Sequence, residues 1–133
     1  MLLCEKAGWE ALCKWALIAA KAVLPYFYEE FPDCSGIAES FAIQEQRREG
    51  LLRAHDVRQA GFQIHALARS CKSETAKYAA RAAGQAVGVG HMREHAIVCA
   101  DYAVKTINCD PNKNASDVTR MRLFQIDELT RLM

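Results

Sequence analysis

Between Ser73 and Val87 the residues spaced three and four apart are almost all alanine: Ala76, Ala79, Ala83 and then Val87. That spacing puts them on one face of an α-helix. A face with so little side chain lets a neighbouring helix axis come close. A helix of this kind gains most of its stability from what covers it, so it is expected at the centre of a helical bundle, with Ser73 as its N-cap. The rest of the chain agrees with an all-α fold. It holds 22 alanines against seven glycines and three prolines, rich in the best helix former and poor in turn formers. No run of residues alternates polar and apolar as a half-buried strand does.

Apolar periodicity divides the chain into about five to six helices, expected to pack antiparallel in a compact bundle or, alternatively, as solenoid-like pairs. The first carries Trp9, Leu12, Ala16, Ala19 and Val23 on one face and should end, kink or restart at Pro25, with Tyr26, Phe27, Tyr28 and Phe31 anchoring that corner. A second, capped by Asp33 or Ser35, turns Ile37 and Phe41 inward and Gln44 to Glu49 outward, and stops at Gly50. The third spans roughly Leu51 to Arg69 with Val57, Ala60, Ile64 and Leu67 in line. The alanine helix follows, terminated by Gly90. A fifth runs from about His91 or Met92 to Ile107, with Ile97, Ala100, Val104 and Ile107 inward. The stretch from Asn108 to Ser116 has loop composition. Beyond it Asn114 or Ser116 caps a last helix, about 115–132, bearing Val118, Met121, Leu129 and Leu132, with Phe124 and Ile126 broadening its apolar side. Residues 1–133 make one expected domain whose core lies at about 9–107, the last helix packing on that core or on a partner subunit in a homodimer.

A net charge of +1 gives no general attraction for nucleic acid or an anionic membrane. The longest stretch free of Asp, Glu, Lys and Arg is Ala82–Met92, short of the roughly 18 residues a membrane helix needs. The apolar run before Lys21, Trp15 to Ala20, is likewise short of a secretory signal segment. Six cysteines at 4, 13, 34, 71, 99 and 109 form no C-x-x-C pair, and in a chain this long they read as free thiols in a reducing cytoplasm.

The sharpest local string is His91-Met92-Arg93-Glu94-His95, which has the H-x-x-E-H order of inverted zinc peptidases. On one helix both imidazoles could reach a zinc ion with Glu94 as base, and Cys99 could add a third ligand for bare metal binding. The bland alternative is a structural role, and no cofactor is expected. On the third helix His65 and Arg69 are one turn apart. If that helix neighbours the fifth, then His65, Arg69, His91, His95 and Tyr102 could meet in one polar pocket. Arg47, Arg48, Arg53 and Arg58 are interleaved with Glu45, Glu49 and Asp56, the pattern of a solvated, salt-bridged face rather than a nucleic-acid contact. Trp9 and Trp15 point to different sides of one helix, so at least one could be interfacial. No phosphate loop or nucleophile elbow is present, and catalysis has no positive support in the residues.

Several ordered strings together resemble a known family. They are Trp15-Ala16, Val23-Leu24-Pro25-Tyr26-Phe27, Phe31-Pro32-Asp33, His65 to Arg69, Ala79 through Val87, Gly90-His91-Met92, His95-Ala96 and Tyr102-Ala103-Val104-Lys105. The chain thereby resembles, over roughly residues 9–107 and most closely from Ala79 to Ile107, the small helical domains labelled putative immunity proteins of bacterial polymorphic toxin systems. Cys34-Ser35-Gly36 stands where the family usually has a charged, proline-containing stretch. The resemblance implies a helical, non-catalytic binding protein that neutralises a cognate toxin, a protein partner, by stoichiometric association in the cytoplasm. His65, His91 and His95 fall on positions typical of that family. The alternative function is a metal- or small-molecule-binding helical domain centred on those three histidines.

Overall fold

The computed structural model describes residues 2–133, and among them the chain forms α1 (Leu2–Lys6), α2 (Trp9–Tyr28), α3 (Gly36–Arg48), α4 (Ala54–Ser70), α5 (Glu74–Gly88), α6 (His95–Cys109) and α7 (Ala115–Leu132), with no strand. The class is the one read from the sequence. The count is seven rather than five to six, because the five-residue α1 is too short to show a period. No helix is long and apolar enough to cross a membrane among the described residues.

The alanine helix α5 is packed against α2, α4 and α6, with α3 touching it as well. Burial goes beyond one stripe: Ala76, Ala79, Ala80, Ala82, Ala83 and Ala86 are all excluded from solvent, as is Val87. A helix apolar nearly all round is buried nearly all round. Ser73 caps it, its Oγ accepting from Ala76 N at 3.1 Å. The end of α5 differs from expectation. Gly90 lacks a left-handed φ, and the chain passes through a turn to α6. Glycine is needed there for space, since a Cβ would lie 2.7 Å from Val57 Cγ1.

Gly50 does stop its helix, at φ +80°. Leu51 N donates to Gln46 O and Gly50 N to Arg47 O, both at 3.0 Å, which together close a Schellman motif. Pro25, by contrast, does not end α2, which continues to Tyr28. The corner beyond is held by aromatic contacts, Phe27 stacking on Phe31 with centroids 5.2 Å apart. It is also tied far along the chain: Tyr26 Oη donates to Asp110 Oδ2 at 2.6 Å, and the Glu30 carboxylate accepts from Lys72 N, Ser73 N and Ser73 Oγ at 2.8–2.9 Å. Those three bonds hold the Glu30 carboxyl below its ordinary pKa.

Three polar readings change in the structure. Gln44, expected outward, is fully buried. Its Nε2 donates to Cys13 O at 3.1 Å and Ala86 O at 2.8 Å, and its Oε1 accepts from Arg48 Nε at 3.0 Å, so one amide joins α2, α3 and α5. Arg47 is part of no solvated basic face. It donates to Gly90 O and Leu52 O, both at 3.2 Å, and lies 5.9 Å from the Trp9 ring centroid. Both tryptophans are engaged inside the chain: Trp9 Nε1 donates to Val89 O and the fully buried Trp15 Nε1 to Gln125 O, each at 2.7 Å.

Helix α7 opens with a capping box, Asn114 N donating to Asp117 Oδ2 at 2.9 Å and Asp117 N to Asn114 Oδ1 at 3.2 Å. It lies on α2 and α6, with Leu129 and Gln125 inward. Gln125 Nε2 donates to Ala100 O at 3.0 Å, and Arg122 bridges Gln125 Oε1 and Asp101 Oδ1 at 2.8 and 2.9 Å. Phe124 and Ile126 are exposed, beside Leu123.

Replacing Gln44 removes its bonds to the Cys13 and Ala86 carbonyls and opens a gap between three helices. Gln44→Ala is expected to lower stability by about 2–3 kcal/mol in urea unfolding with helix content retained. A loss under about 0.5 kcal/mol, the range of an ordinary surface change, contradicts this assignment.

Candidate functional site

Two glycines one turn apart on α5, Gly84 and Gly88, leave shallow niches along the helix, and each is filled by an imidazole. A Cβ on Gly84 would lie 2.6 Å from His65 Cε1, and one on Gly88 would lie 3.0 Å from His95 Cγ. His65 reaches its niche from α4, whose residues Arg58, Phe62, His65 and Arg69 recur at helical spacing in a stripe alongside the inward one of Val57, Gly61 and Ile64. His95, the first residue of α6, sets its Nδ1 2.5 Å from Gln85 Oε1 of α5. An amide oxygen only accepts, so that nitrogen carries the proton. His91 meets His95 edge to face, centroids 4.9 Å apart at 62°. The structure thus brings all three histidines to the surface of α5.

His91, however, precedes α6. The helix expected from His91 or Met92 starts at His95, and residues 91–94 form the turn that leads into it. The paired imidazoles touch because of that turn, not because they share a helical face. Cys99 does not join them: it is fully buried, its Sγ donating to Ala16 O at 3.3 Å toward α2, and burial pushes its thiol far above the ordinary value. Among the described residues, no group of three His, Cys, Asp or Glu side chains is placed to hold a metal ion.

Tyr102 stands apart from the histidines, two turns further along α6. It stacks on Tyr78 of α5 with centroids 6.0 Å apart, and Lys105 Nζ sits 5.5 Å and 5.4 Å from the two ring centroids. Arg69 is exposed near His65. The sequence reading missed Tyr78, Arg81 and Gln85, which occupy the outward side of the alanine helix where the inward stripe draws attention away. It missed Phe62 as well, 57% exposed between Arg58 and His65.

The electrostatics of the cluster are those of bases held neutral. Burial is the main cause for each histidine. For His65 the Arg81, His95 and Arg69 charges add to it, and the imidazole falls from 6.5 to about 4. His91 is lowered by burial, then by His95 and Arg58, and His95 by burial against a small opposing effect of Glu94. The Nδ1 of His65 is buried without a hydrogen-bond partner. An open groove of about 560 Å³ lies elsewhere, beside α7 between Ala22, Ile107, Met121 and Phe124.

Residues 2–132 match the model of a family described as Imm-5 like putative immunity protein. No curated protein and no solved structure matches the chain.

A histidine whose folded pKa is depressed binds its proton more readily when unfolded, so acid favours unfolding. Stability is whole above 6.5, falls as the pH drops below it, and levels off near 4, where folded His65 itself protonates. Discounted for partial exposure, the loss between pH 7.5 and pH 5.0 is expected to be about 1–2 kcal/mol by urea unfolding. It should shrink in His65→Gln. The carboxyls held low, Glu30, Asp56 and Asp110, affect stability only below their ordinary values of 4.5 and 3.8, outside this window. Equal stability at the two pH values contradicts the cluster's electrostatics.

Proposed function

Since the chain belongs to this family of immunity proteins, we propose that it acts without catalysis, binding a protein toxin one to one in the cytoplasm and holding it inactive. The observation that carries the reading is the filling of the α5 niches. The niches at Gly84 and Gly88 are filled by the chain's own His65 and His95 rings, which favours reading the polar groups around them as a surface that meets a partner. The buried thiols add support: burial pushes Cys13 up to about 12 and Cys99 higher still. A thiol with such a pKa supplies almost no thiolate at neutral pH and is a poor nucleophile. All six cysteines are unpaired, in keeping with a reducing compartment.

A second reading, a metal ion or small polar molecule bound through His65, His91 and His95, has one observation in its favour, the unpartnered Nδ1 of His65.

The test is a titration of a toxin that the chain silences on co-expression. Under the binding reading, toxin activity falls linearly with added protein and reaches its floor at one equivalent, with a 1:1 complex in light scattering. Full protection at a tenth of an equivalent means turnover and overturns the reading. Calorimetric titration of the untagged protein with zinc chloride is expected to be flat, and stoichiometric heat lost in His91→Ala and His95→Ala favours the second reading.

A further inference from the structure

The chain has ten arginines, and seven of them are engaged within it. Arg47 and Arg93 donate to backbone carbonyls and Arg48 to the Gln44 amide. Arg53, Arg120, Arg122 and Arg131 pair with carboxylates. Among the described residues the remaining three, Arg58, Arg69 and Arg81, have no hydrogen bond or ion pair, and all three stand round the histidine cluster. Resting on the immunity reading above, we infer that this α4–α5–α6 face is where the toxin docks, and that the toxin presents a carboxylate-rich surface to it.

These unpartnered charges surround imidazoles that burial already holds neutral. The positions of Arg69 and Arg81 near His65, and of Arg58 near His91, show in the charge each exerts on those rings. Glu94 is the one carboxylate whose charge is felt inside the cluster, and Asp101 at its border is bound to Arg122. Such an arrangement leaves an anionic partner cations that the chain's own carboxylates do not neutralise.

The apolar groups between the cations have the make-up of an interface centre. Phe62 projects from α4 between Arg58 and His65, and Met92 and Val98 are exposed beside the two other histidines. The stacked Tyr78 and Tyr102 carry Lys105 over their rings. Arginine and tyrosine with an apolar anchor are the side chains that dominate protein–protein binding energy. A nucleic acid asks for a continuous basic stripe along the backbone, whereas here exposed apolar groups alternate with four cations. A protein surface rich in Asp and Glu fits both features.

The experiment uses the full chain and a toxin that it silences on co-expression, with affinity read by calorimetry. The triple variant Arg58→Glu/Arg69→Glu/Arg81→Glu is expected to bind at least 100-fold more weakly, and Phe62→Ser and Arg58→Glu alone at least 10-fold. The control Lys113→Glu/Arg120→Glu on the α7 side is expected to change affinity less than threefold. Helix content and urea midpoint establish that each variant is folded, and Arg58→Glu, on an exposed side chain, serves if the triple does not fold. Wild-type affinity should fall with added sodium chloride. Binding that survives the charge reversals, or falls equally in the α7 control, overturns the assignment of this face and leaves the immunity reading standing. Tight binding of a fluorescein-labelled 20-nucleotide RNA that the triple variant abolishes overturns the choice of partner. No binding by the wild-type chain sinks the immunity reading and this inference with it.

Discussion

Everything else in the molecule is arranged around the burial of α5 among four other helices. Alanine and glycine make this possible because they add almost nothing to the helix radius, so α2, α4 and α6 can all approach it. The contact with α4 is close enough that a Cβ at Gly61 would sit 3.6 Å from Gly84 O. Small residues give little apolar area each, so the stabilisation comes from many of them packed at crystal-like density rather than from a few large groups. Large side chains are supplied from outside, with Trp15, Phe27, Leu12, Ile37 and Ile64 among the biggest that are fully buried.

Smooth helices slide, and the chain meets that problem with side chains that bond to distant backbone. Gln44 joins α3 to α2 and α5, Gln125 joins α7 to α6, the two indoles reach Val89 and Gln125 carbonyls, and Arg93 grips the carbonyls of Cys4 and Ala7 at 3.0 and 2.7 Å. Each such bond has a direction and a fixed length, so each fixes a register that alanine packing alone leaves loose. Among the described residues the one buried side-chain nitrogen or oxygen without a partner is His65 Nδ1.

The helical class and the central place of the alanine helix were legible because both follow from spacing within one segment. The cap of the last helix was legible as Asn114 or Ser116, a local matter of a few residues, and the structure has Asn114. Gln44 was not legible. Its polarity argues for the surface, and only the positions of Cys13 and Ala86 on other helices reveal two carbonyls waiting for its amide. The persistence of α2 past Pro25 and the start of α6 at His95 were missed because boundaries depend on what packs beyond them. The three histidines were singled out from their spacing and a family resemblance, yet their meeting place depends on Gly84 and Gly88, which the sequence shows only as breaks in an alanine run. The neighbours that shape their charge, Arg81 above all, lie on the outward side of a helix whose pattern advertises its inner side.

One helix thus serves two opposed demands. Its inner sides want small residues so that other helices can close in, and its outer side can offer niches only because glycine continues that economy of volume where alanine would fill the space. Rings lodged in those niches are packed against the helix, and they are biased to the neutral form because burial penalises their charge, with the Arg81 and Arg69 charges adding to this for His65. The cations around them stand on packed helices, and a backbone already ordered loses less entropy on binding than a mobile loop. A partner recognised this way would meet charges that no carboxylate of the chain neutralises.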